Sequence, residues 1–294
     1  MNHDSPAEIR AELARRSLTL KKRWGQNFLI NRGARESLVA WLSPGEGQLV
    51  WEIGPGLGAM TELLLSRALT CIVFEIDRGL CRYLEEVFGE RSGFSIVQGD
   101  FVKTWRKARE EHGPPGFLLG NLPYRSASLM VADIIEGGLQ LQRAILTVQR
   151  EAADRMCARP GLKSYSSFSI LCQASFTPRT LGDLKPGSFY PAPEVVSTVV
   201  ELTPRPDAPQ GITREVLGAL TRGLFASRRK TIRNNLAAAR LPEGIRWESA
   251  LEVLQKQGID PGARAEELPP EMFVRAAEVL AARMPREPRE PSDP

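Results

Sequence analysis

Five short apolar runs, separated by stretches with helical spacing, constrain the fold of this 294-residue chain more than any other feature. The strand candidates lie at 49–53, 71–76, 94–97, 117–119 and 144–148, and the helical candidates between and after them lie at 58–66, 79–88, 128–135 and 151–158. Strands that alternate with helices need right-handed crossovers, which give a mostly parallel sheet covered on both faces. The predicted fold class is therefore α/β, with a doubly wound, Rossmann-like sheet.

The later part of the chain has a different texture. Segments 177–184 and 197–202 are predicted to form a hairpin at one edge of the sheet. Three prolines between 204 and 209 then suggest a linker, and Leu217, Leu220 and Leu224 follow at helical spacing. We predict a main domain at 1–203 with a basic N-terminal arm, a small all-helical domain at 204–284, and a disordered Pro-rich tail at 285–294.

Composition excludes several classes of protein. No apolar stretch approaches ~18 residues, and the first residues lack an apolar signal core, so neither a transmembrane helix nor a secretory signal is expected. Four cysteines without a CxxC pair indicate reduced thiols and a cytoplasmic location. The two histidines form no metal-ligand pattern, and His112 is predicted to lie in a polar loop at 110–115, so neither a metal site nor a Ser-His-Asp hydrolase is expected. The net charge of +4 permits a polyanionic partner without demonstrating one.

A glycine loop, Gly54-Pro55-Gly56-Leu57-Gly58, follows the first predicted strand and opens a helix. Glycines allow a tight turn and the close approach of a ligand, and a helix N-terminus favours polar or anionic groups. The spacing GxGxG differs from the dinucleotide fingerprint GxGxxG. It suits a nucleoside with a short charged tail better than a pyrophosphate. A nicotinamide dehydrogenase is a further alternative, and this spacing disfavours it.

Carboxylates end the next two predicted strands. Glu75 lies 21 residues after Gly54 and can accept both hydroxyls of a ribose, while Asp100 can accept the exocyclic amine of an adenine. Two simpler interpretations are that Glu75 caps the helix starting near Gly79 and that Asp100 is a turn residue. Because the carboxyl ends of parallel strands meet at one edge, the glycine loop, Glu75 and Asp100 together indicate an adenosine site.

The fourth strand is followed by Asn121-Leu122-Pro123-Tyr124. An exocyclic adenine amine is a poor nucleophile because its lone pair is delocalised into the ring. The Asn121 side-chain oxygen and the Leu122 carbonyl can grip its N–H groups and stabilise the positive charge that develops on the amine. Pro123 fixes the backbone, and Tyr124 offers a flat face on which a base can stack. The simpler interpretation is an ordinary strand-to-turn proline.

These motifs, in this order, resemble the KsgA-type ribosomal RNA adenine N6,N6-dimethyltransferases (the RsmA family). Residues 22–29 are similar to the family's leading K-x-x-G-Q-N-F-L signature, and residues 52–58 to its glycine motif. Residues 189–195 and 225–236 resemble its F-x-P-x-P-x-V loop and its closing F-x-x-R-R-K-T-I-R-N-x-L motif. The resemblance implies a class I methyltransferase fold that uses S-adenosyl-L-methionine.

The resemblance also implies roles for individual residues. Asn27 and Leu29 would line the methyl-donor pocket with Gly54, Glu75, Asp100 and Asn121, and Phe189 would help Tyr124 to sandwich the target adenine. The implied reaction dimethylates N6 of two adjacent adenosines near the 3′ end of small-subunit ribosomal RNA, with the immature small ribosomal subunit as partner and the protein as a monomer. The alternative is a non-catalytic rRNA-binding assembly factor that keeps the fold.

Basic residues supply the expected RNA contacts. The candidates for phosphate binding are Lys22, Arg23, Arg228, Arg229, Lys230 and Arg233. Arg229 and Arg233 are predicted to lie four residues apart on one helix face. Charge runs are usually solvated faces, so the RNA interpretation depends on the resemblance.

Overall fold

The computed structural model describes residues 1–21 and 24–284. Lys22, Arg23 and the predicted disordered tail at 285–294 lie outside the described residues. The chain divides into two compact units: Met1–Cys157 with Phe176–Arg205 form the first, and Ala158–Ser175 with the residues from Pro206 onward form the second. The structure thus differs from the predicted division at one segment, because 158–175 groups with the C-terminal helices rather than with the sheet.

The first unit contains a large sheet, a two-stranded ladder and the helices that cover them. Its strands are β1 (Phe28–Leu29), β2 (Leu49–Ile53), β3 (Thr70–Glu75), β4 (Phe94–Gln98), β5 (Phe117–Asn121), β6 (Arg143–Gln149), β7 (Phe176–Leu184), β8 (Phe189–Tyr190) and β9 (Ser197–Pro204). Its helices are α1 (Pro6–Arg15), α2 (Arg32–Leu42), α3 (Ala59–Leu65), α4 (Arg78–Phe88), α5 (Phe101–His112), α6 (Ala127–Glu136) and α7 (Arg150–Met156).

The large sheet has the strand order β4-β3-β2-β5-β6-β9-β7. Strands β2 to β6 run parallel, whereas β9 is antiparallel to β6 and β7 is antiparallel to β9. This confirms the predicted α/β class and the late hairpin at the sheet edge. The chain runs outward from β2 to β4 and then returns to β5 on the other side of β2, so the strand order reverses between β2 and β5. The connections diverge there and leave a crevice at the carboxyl ends of the strands.

Both faces of the sheet are buried. On one face Val50 and Val73 belong to a core with apolar residues of α1 to α4. On the other face the rings of Trp51, Phe74 and Phe101 pack in sequence, with ring centroids 4.9 Å apart at each step. Burial on both faces explains why β2, β3, β5 and β6 are nearly continuous apolar runs, whereas the edge strand β4 is only partly buried and contains Ser95 and Gln98.

Helix α5 corrects one expectation, because His112 is its last residue and not part of a polar loop. Asp100 is the N-cap, and its side chain accepts a hydrogen bond from the Val102 N–H. The buried residues Phe101, Trp105 and Ala108 follow the i, i+4, i+7 pattern of one helix face. The Trp105 indole N–H donates to Asp133 of α6 at 2.5 Å, which fixes α5 against α6.

The second unit is helical throughout its regular elements. Its helices are α8 (Ser167–Ser175), α9 (Gly211–Leu224), α10 (Ile232–Leu236), α11 (Trp247–Lys256) and α12 (Pro270–Ala281). The predicted leucine face of 217, 220 and 224 is buried in α9. The rings of Tyr165, Phe225 and Phe273 pack together, and the Tyr165 hydroxyl donates to the Leu268 carbonyl at 2.8 Å. Across the part of the chain that the structure describes, no helix is long and apolar enough to cross a membrane.

Candidate active site

A cavity of about 590 Å³ opens where the parallel strands end. This volume lies within the range of small-molecule sites. The residues predicted from sequence that line it are Asn27, Gly54, Glu75, Asp100, Asn121, Pro123 and Tyr124. The structure therefore brings together, around one cavity, the glycine loop, both strand-end carboxylates and the Asn-Leu-Pro-Tyr motif.

The glycine loop forms the floor of this cavity. Gly54 and Gly56 have φ angles of 70° and 59°, which is the left-handed region that favours glycine. A Cβ at Gly56 would lie 2.8 Å from the Phe28 ring, so a larger residue is excluded by both conformation and space. Beneath the loop, the Thr61 hydroxyl donates to Glu52 Oε2 at 2.7 Å and ties α3 to β2. The loop is thus held at both ends.

Glu75 is buried at the end of β3, with 5% of its surface exposed. Burial raises the pKa of its carboxyl to about 7, although the backbone N–H groups of Asp77 and Gly56 bond to it and oppose the shift. The Asp77 N–H lies 2.8 Å from Glu75 Oε1. The interpretation of Glu75 as the cap of α4 is wrong, because Asp77 is the N-cap and accepts from the Gly79 N–H at 2.7 Å.

Asp100 combines a structural contact with a place in the cavity. Its Oδ1 accepts the Val102 N–H at 3.1 Å as the cap of α5, and its side chain also lines the cavity. A carboxylate has about four lone-pair sites, so capping leaves it able to accept a ligand N–H.

Apolar residues that the sequence analysis missed flank the two carboxylates. Ile76 follows Glu75, and Phe101 and Val102 follow Asp100, while Leu129 lies in α6. Ile76 and Leu129 are 39% and 61% exposed, so they present apolar surface at the cavity rather than in the core. An apolar residue directly follows each strand-end carboxylate, and this pattern could have identified Ile76 and Phe101 from the sequence.

The side chain of Asn121 is oriented by a hydrogen bond to the backbone of the segment before β1. Its Nδ2 donates to the carbonyl oxygen of Asn27 at 2.8 Å. Because the nitrogen is engaged there, the amide oxygen is the atom that can accept from a ligand. The Gln-Asn-Phe segment before β1 and the motif after β5 are thereby joined in one site.

Tyr124 lines both this cavity and a second one of about 440 Å³, as do Gly25, Gln26, Asn27 and Arg125, so the two cavities adjoin. Its hydroxyl forms a hydrogen bond of 2.5 Å with Ser197 Oγ, and burial raises the pKa of that hydroxyl. The second cavity is lined by Leu20, Lys21, Gly25, Gln26, Asn27, Tyr124, Arg125, Gln149, Pro191, Ala192, Pro193, Glu194 and Val195. The Pro-rich loop predicted to belong to the site therefore contributes five consecutive residues.

Three residues of the predicted site, Phe189, Leu29 and Leu122, do not line the larger cavity. Phe189 pairs with Leu29 in the β1–β8 ladder, and its ring is 2% exposed within the core, so the structure corrects its expected place beside Tyr124. Leu29 lines only a cavity of about 30 Å³ behind the glycine loop. The Leu122 side chain is 2% exposed, although its predicted role concerned the backbone carbonyl alone.

The basic cluster of the second unit is not uniform. Arg228 is paired with Glu266 and also donates to the Lys163 and Leu162 carbonyls, so it stabilises the unit instead of projecting freely. Arg229 lies in the turn before α10, which corrects its placement four residues from Arg233 on one helix. Arg229, Lys230 and Arg233 are exposed.

Comparison with known proteins agrees with this architecture. Residues 17–282 match the family model described as ribosomal RNA adenine dimethylase. Proteins named ribosomal RNA small subunit methyltransferase A are similar: that of Treponema denticola is 37% identical over 281 residues (95% of this chain, 96% of the relative), and that of Treponema pallidum is 38% identical over 283 residues (96% and 98%). A crystal structure of a dimethyladenosine transferase from Plasmodium falciparum shares the fold, with a TM-score of 0.70 at 22% identity over 86% of this chain and 97% of that one, which confirms the predicted class I methyltransferase architecture. The chain therefore belongs to the ribosomal RNA adenine dimethylase family.

Proposed function

We propose that the protein transfers methyl groups from S-adenosyl-L-methionine to N6 of two adjacent adenosines near the 3′ end of small-subunit ribosomal RNA. The product is N6,N6-dimethyladenosine in an immature small ribosomal subunit, and the enzyme acts as a monomer in the cytoplasm. Family membership and the names of the two Treponema relatives support this substrate. The observation that carries the proposal is the Asn121 carboxamide, which lines the larger cavity with its nitrogen held by the Asn27 carbonyl, while Tyr124 lines both cavities.

The larger cavity fits the methyl donor of this family. Glu75 would accept the ribose hydroxyls, Asp100 the adenine amine, and Ile76 with Leu129 would contact the flat base; all four residues line this cavity. Gly54 and Gly56, whose φ angles of 70° and 59° lie in the left-handed region, let the amino-acid tail approach the backbone. When bound, S-adenosyl-L-methionine supplies an electrophilic methyl group on a sulfonium.

The chain's own residues activate the acceptor. The target adenine leaves its stack and enters the smaller cavity against the face of Tyr124, with its N6 edge reaching past Tyr124 to Asn121 in the larger cavity. The Asn121 oxygen and the Leu122 carbonyl accept the two N6–H groups, which draws the lone pair out of the ring. The same two dipoles stabilise the positive charge that develops as the nitrogen gains a methyl group. The nitrogen then releases a proton, so no general base has to act before transfer.

RNA binding is proposed to use the exposed cations. Arg229, Lys230 and Arg233 are candidates in the second unit, and Lys22 and Arg23 complete the set that we predict from sequence. Phosphate contacts of this kind position the RNA without reading its sequence. Their loss should reduce the salt dependence of binding, by about one counterion for each contact removed.

A transfer assay tests the proposal against the alternative of a non-catalytic assembly factor. Small subunits that lack the modification are incubated with methyl-labelled donor, and labelled dimethyladenosine is quantified in the RNA. We expect Asn121→Ala to lower kcat by about 10²–10³-fold, as for loss of one preorganised polar group at a charged transition state. The donor Kd should stay within about threefold, because the ribose and adenine contacts remain. RNA that binds the wild-type protein but takes up no label would favour the assembly factor.

A further inference from the structure

Gln149 lines the 440 Å³ cavity, and its side chain makes no hydrogen bond with any residue that the structure describes. Gln149 is the last residue of β6 and the residue before α7, and it is partly buried. Because the side chain is only partly buried, water can satisfy its amide, and a ligand that displaces this water has to offer the amide a hydrogen-bond partner. The side chain is therefore available to a ligand in that cavity.

The strand register places Gln149 beside both parts of the site that handle the base. In the antiparallel pair of β6 and β9, Gln149 stands opposite Ser197, whose hydroxyl bonds to Tyr124. Side chains directly opposite each other in such a pair share one face of the sheet. In the parallel pair of β5 and β6, Asn121 is the register partner of Thr147, two residues before Gln149. Residues two apart on a strand also share a face, so Gln149 follows Asn121 toward the cavity.

The chemistry of adenine requires a donor at this place. When the Asn121 oxygen and the Leu122 carbonyl accept from N6, the ring nitrogens N1 and N7, which lie on either side of the exocyclic amine, remain as acceptors. Either nitrogen would lose its hydrogen bond to water on entering the cavity, and an unmatched acceptor there weakens binding.

Three carboxamides line this cavity, and Gln149 is the one whose nitrogen is not already engaged: Gln26 Nε2 donates to Asp77 at 3.5 Å and Asn27 Nδ2 to the Gly25 carbonyl at 3.4 Å. Lys21 and Arg125 are cations, and a positive charge beside an amine that itself becomes positive opposes the transfer. Lys21 is also engaged elsewhere, with Nζ 3.3 Å from Asp77 and 4.0 Å from the centre of the Trp24 ring. A carboxamide donates without net charge, and glutamine is a recurrent partner of adenine edges.

We propose that Gln149 recognises the target base by donating from Nε2 to N1 or N7, the two ring nitrogens on either side of the exocyclic amine of the adenine. The inference rests on the proposed function and deepens it, since it assigns the residue that recognises the ring edge of the base. A pyrimidine amine offers a different arrangement of acceptors and would fit this contact less well.

Atomic substitution in the RNA tests the contact directly. Substrates carry adenine, 1-deazaadenine or 7-deazaadenine at the target position, and kcat/KM is measured for each. We expect one of the two analogues to be methylated about tenfold more slowly by the wild-type protein. Gln149→Leu should lose about tenfold on adenine and show no additional loss on that same analogue. Gln142→Leu is the matched control, because Gln142 directly precedes β6 and does not line the cavity. This variant should show the same loss of kcat/KM on the analogue as the wild type.

The outcomes distinguish failure of the proposed role of Gln149 from failure of the proposed function. Equal penalties in the wild type and in Gln149→Leu, or no penalty with either analogue in the wild type, would overturn the role of Gln149. If the wild type methylates no adenine substrate, the proposed function itself fails. Donor affinity reports whether each variant is folded, and Gln149→Met, which keeps the length of the side chain, gives the same comparison if the leucine variant does not fold.

Discussion

Donor binding should depend on pH through a single carboxyl group, Glu75. Burial raises its pKa to about 7, and only the ionised form offers two acceptor oxygens to ribose hydroxyls. A ligand that binds the ionised form loses affinity as the pH falls through the pKa of the free protein. Binding near neutral pH should therefore release a proton.

The size of the effect follows from that pKa. With a value of about 7, the carboxyl is ~90% ionised at a pH of about 8 and ~3% ionised at a pH of about 5.5. The affinity should then fall about 30-fold between these conditions, which corresponds to about 2 kcal/mol. Glu75→Gln cannot titrate, so its affinity, although weaker overall, should change little over the same range.

Calorimetric titration with S-adenosylhomocysteine measures this dependence, and buffers of different ionisation enthalpy report the released proton. Glu52→Gln is the matched control, because burial also raises the pKa of Glu52 to about 7 although its side chain does not line the cavity. This control should keep the wild-type slope. A wild-type slope that persists in Glu75→Gln would refute the assignment of the titration to Glu75.

Three further predictions concern the loop, the core and the basic cluster. Gly56→Ala should abolish detectable donor binding in the same titration, because residue 56 has a φ of 59° and the added Cβ would lie 2.8 Å from the Phe28 ring. An affinity like that of the wild type would contradict the loop geometry. The folded-state pKa of Glu52 lies above its unfolded value of about 4.5, so the native state binds more protons and the free energy of unfolding should fall as the pH rises from about 5 to about 8. Urea unfolding should show a smaller fall in Glu52→Gln, and an unchanged fall would exclude Glu52 as a source. Arg228→Ala should lower the free energy of unfolding by about 1 kcal/mol, because it removes the ion pair with Glu266, whereas Arg229→Ala should leave it unchanged. Equal stabilities of the two variants would argue against the structural role of Arg228.

The predicted strands agree closely with the observed ones for a physical reason. Strand β2 has the predicted bounds, and β3 is displaced by one residue at each end. Each lies inside a sheet covered on both faces, so nearly every position is apolar and the run ends where burial ends. Helix α5 was missed because Phe101, Trp105 and Ala108 are separated by charged residues that face solvent. That pattern is helical, but it contains no continuous apolar run.

The candidate site was predictable where a residue's chemistry depends on its place at a strand end. Glu75, Asp100 and Asn121 are such residues, and all three line the cavity. Phe189 shows the limit of this reasoning, since an aromatic residue in a Pro-rich turn can face either a cavity or the core. Arg228 shows it for charge, because its partner Glu266 lies 38 residues away in the chain and no local pattern indicates the pair.

The amino-acid sequence alone determined the α/β class, the order of the motifs and the residue types at the strand ends, because these depend on periodicity and local chemistry. Only the tertiary structure decided which atoms meet: the Asn121 amide with the Asn27 carbonyl, the Tyr124 hydroxyl with Ser197, and Gln149 with the cavity beside them. These contacts join segments that are far apart in the chain. Their geometry is set by packing of the whole sheet and its helices, which no local spacing encodes.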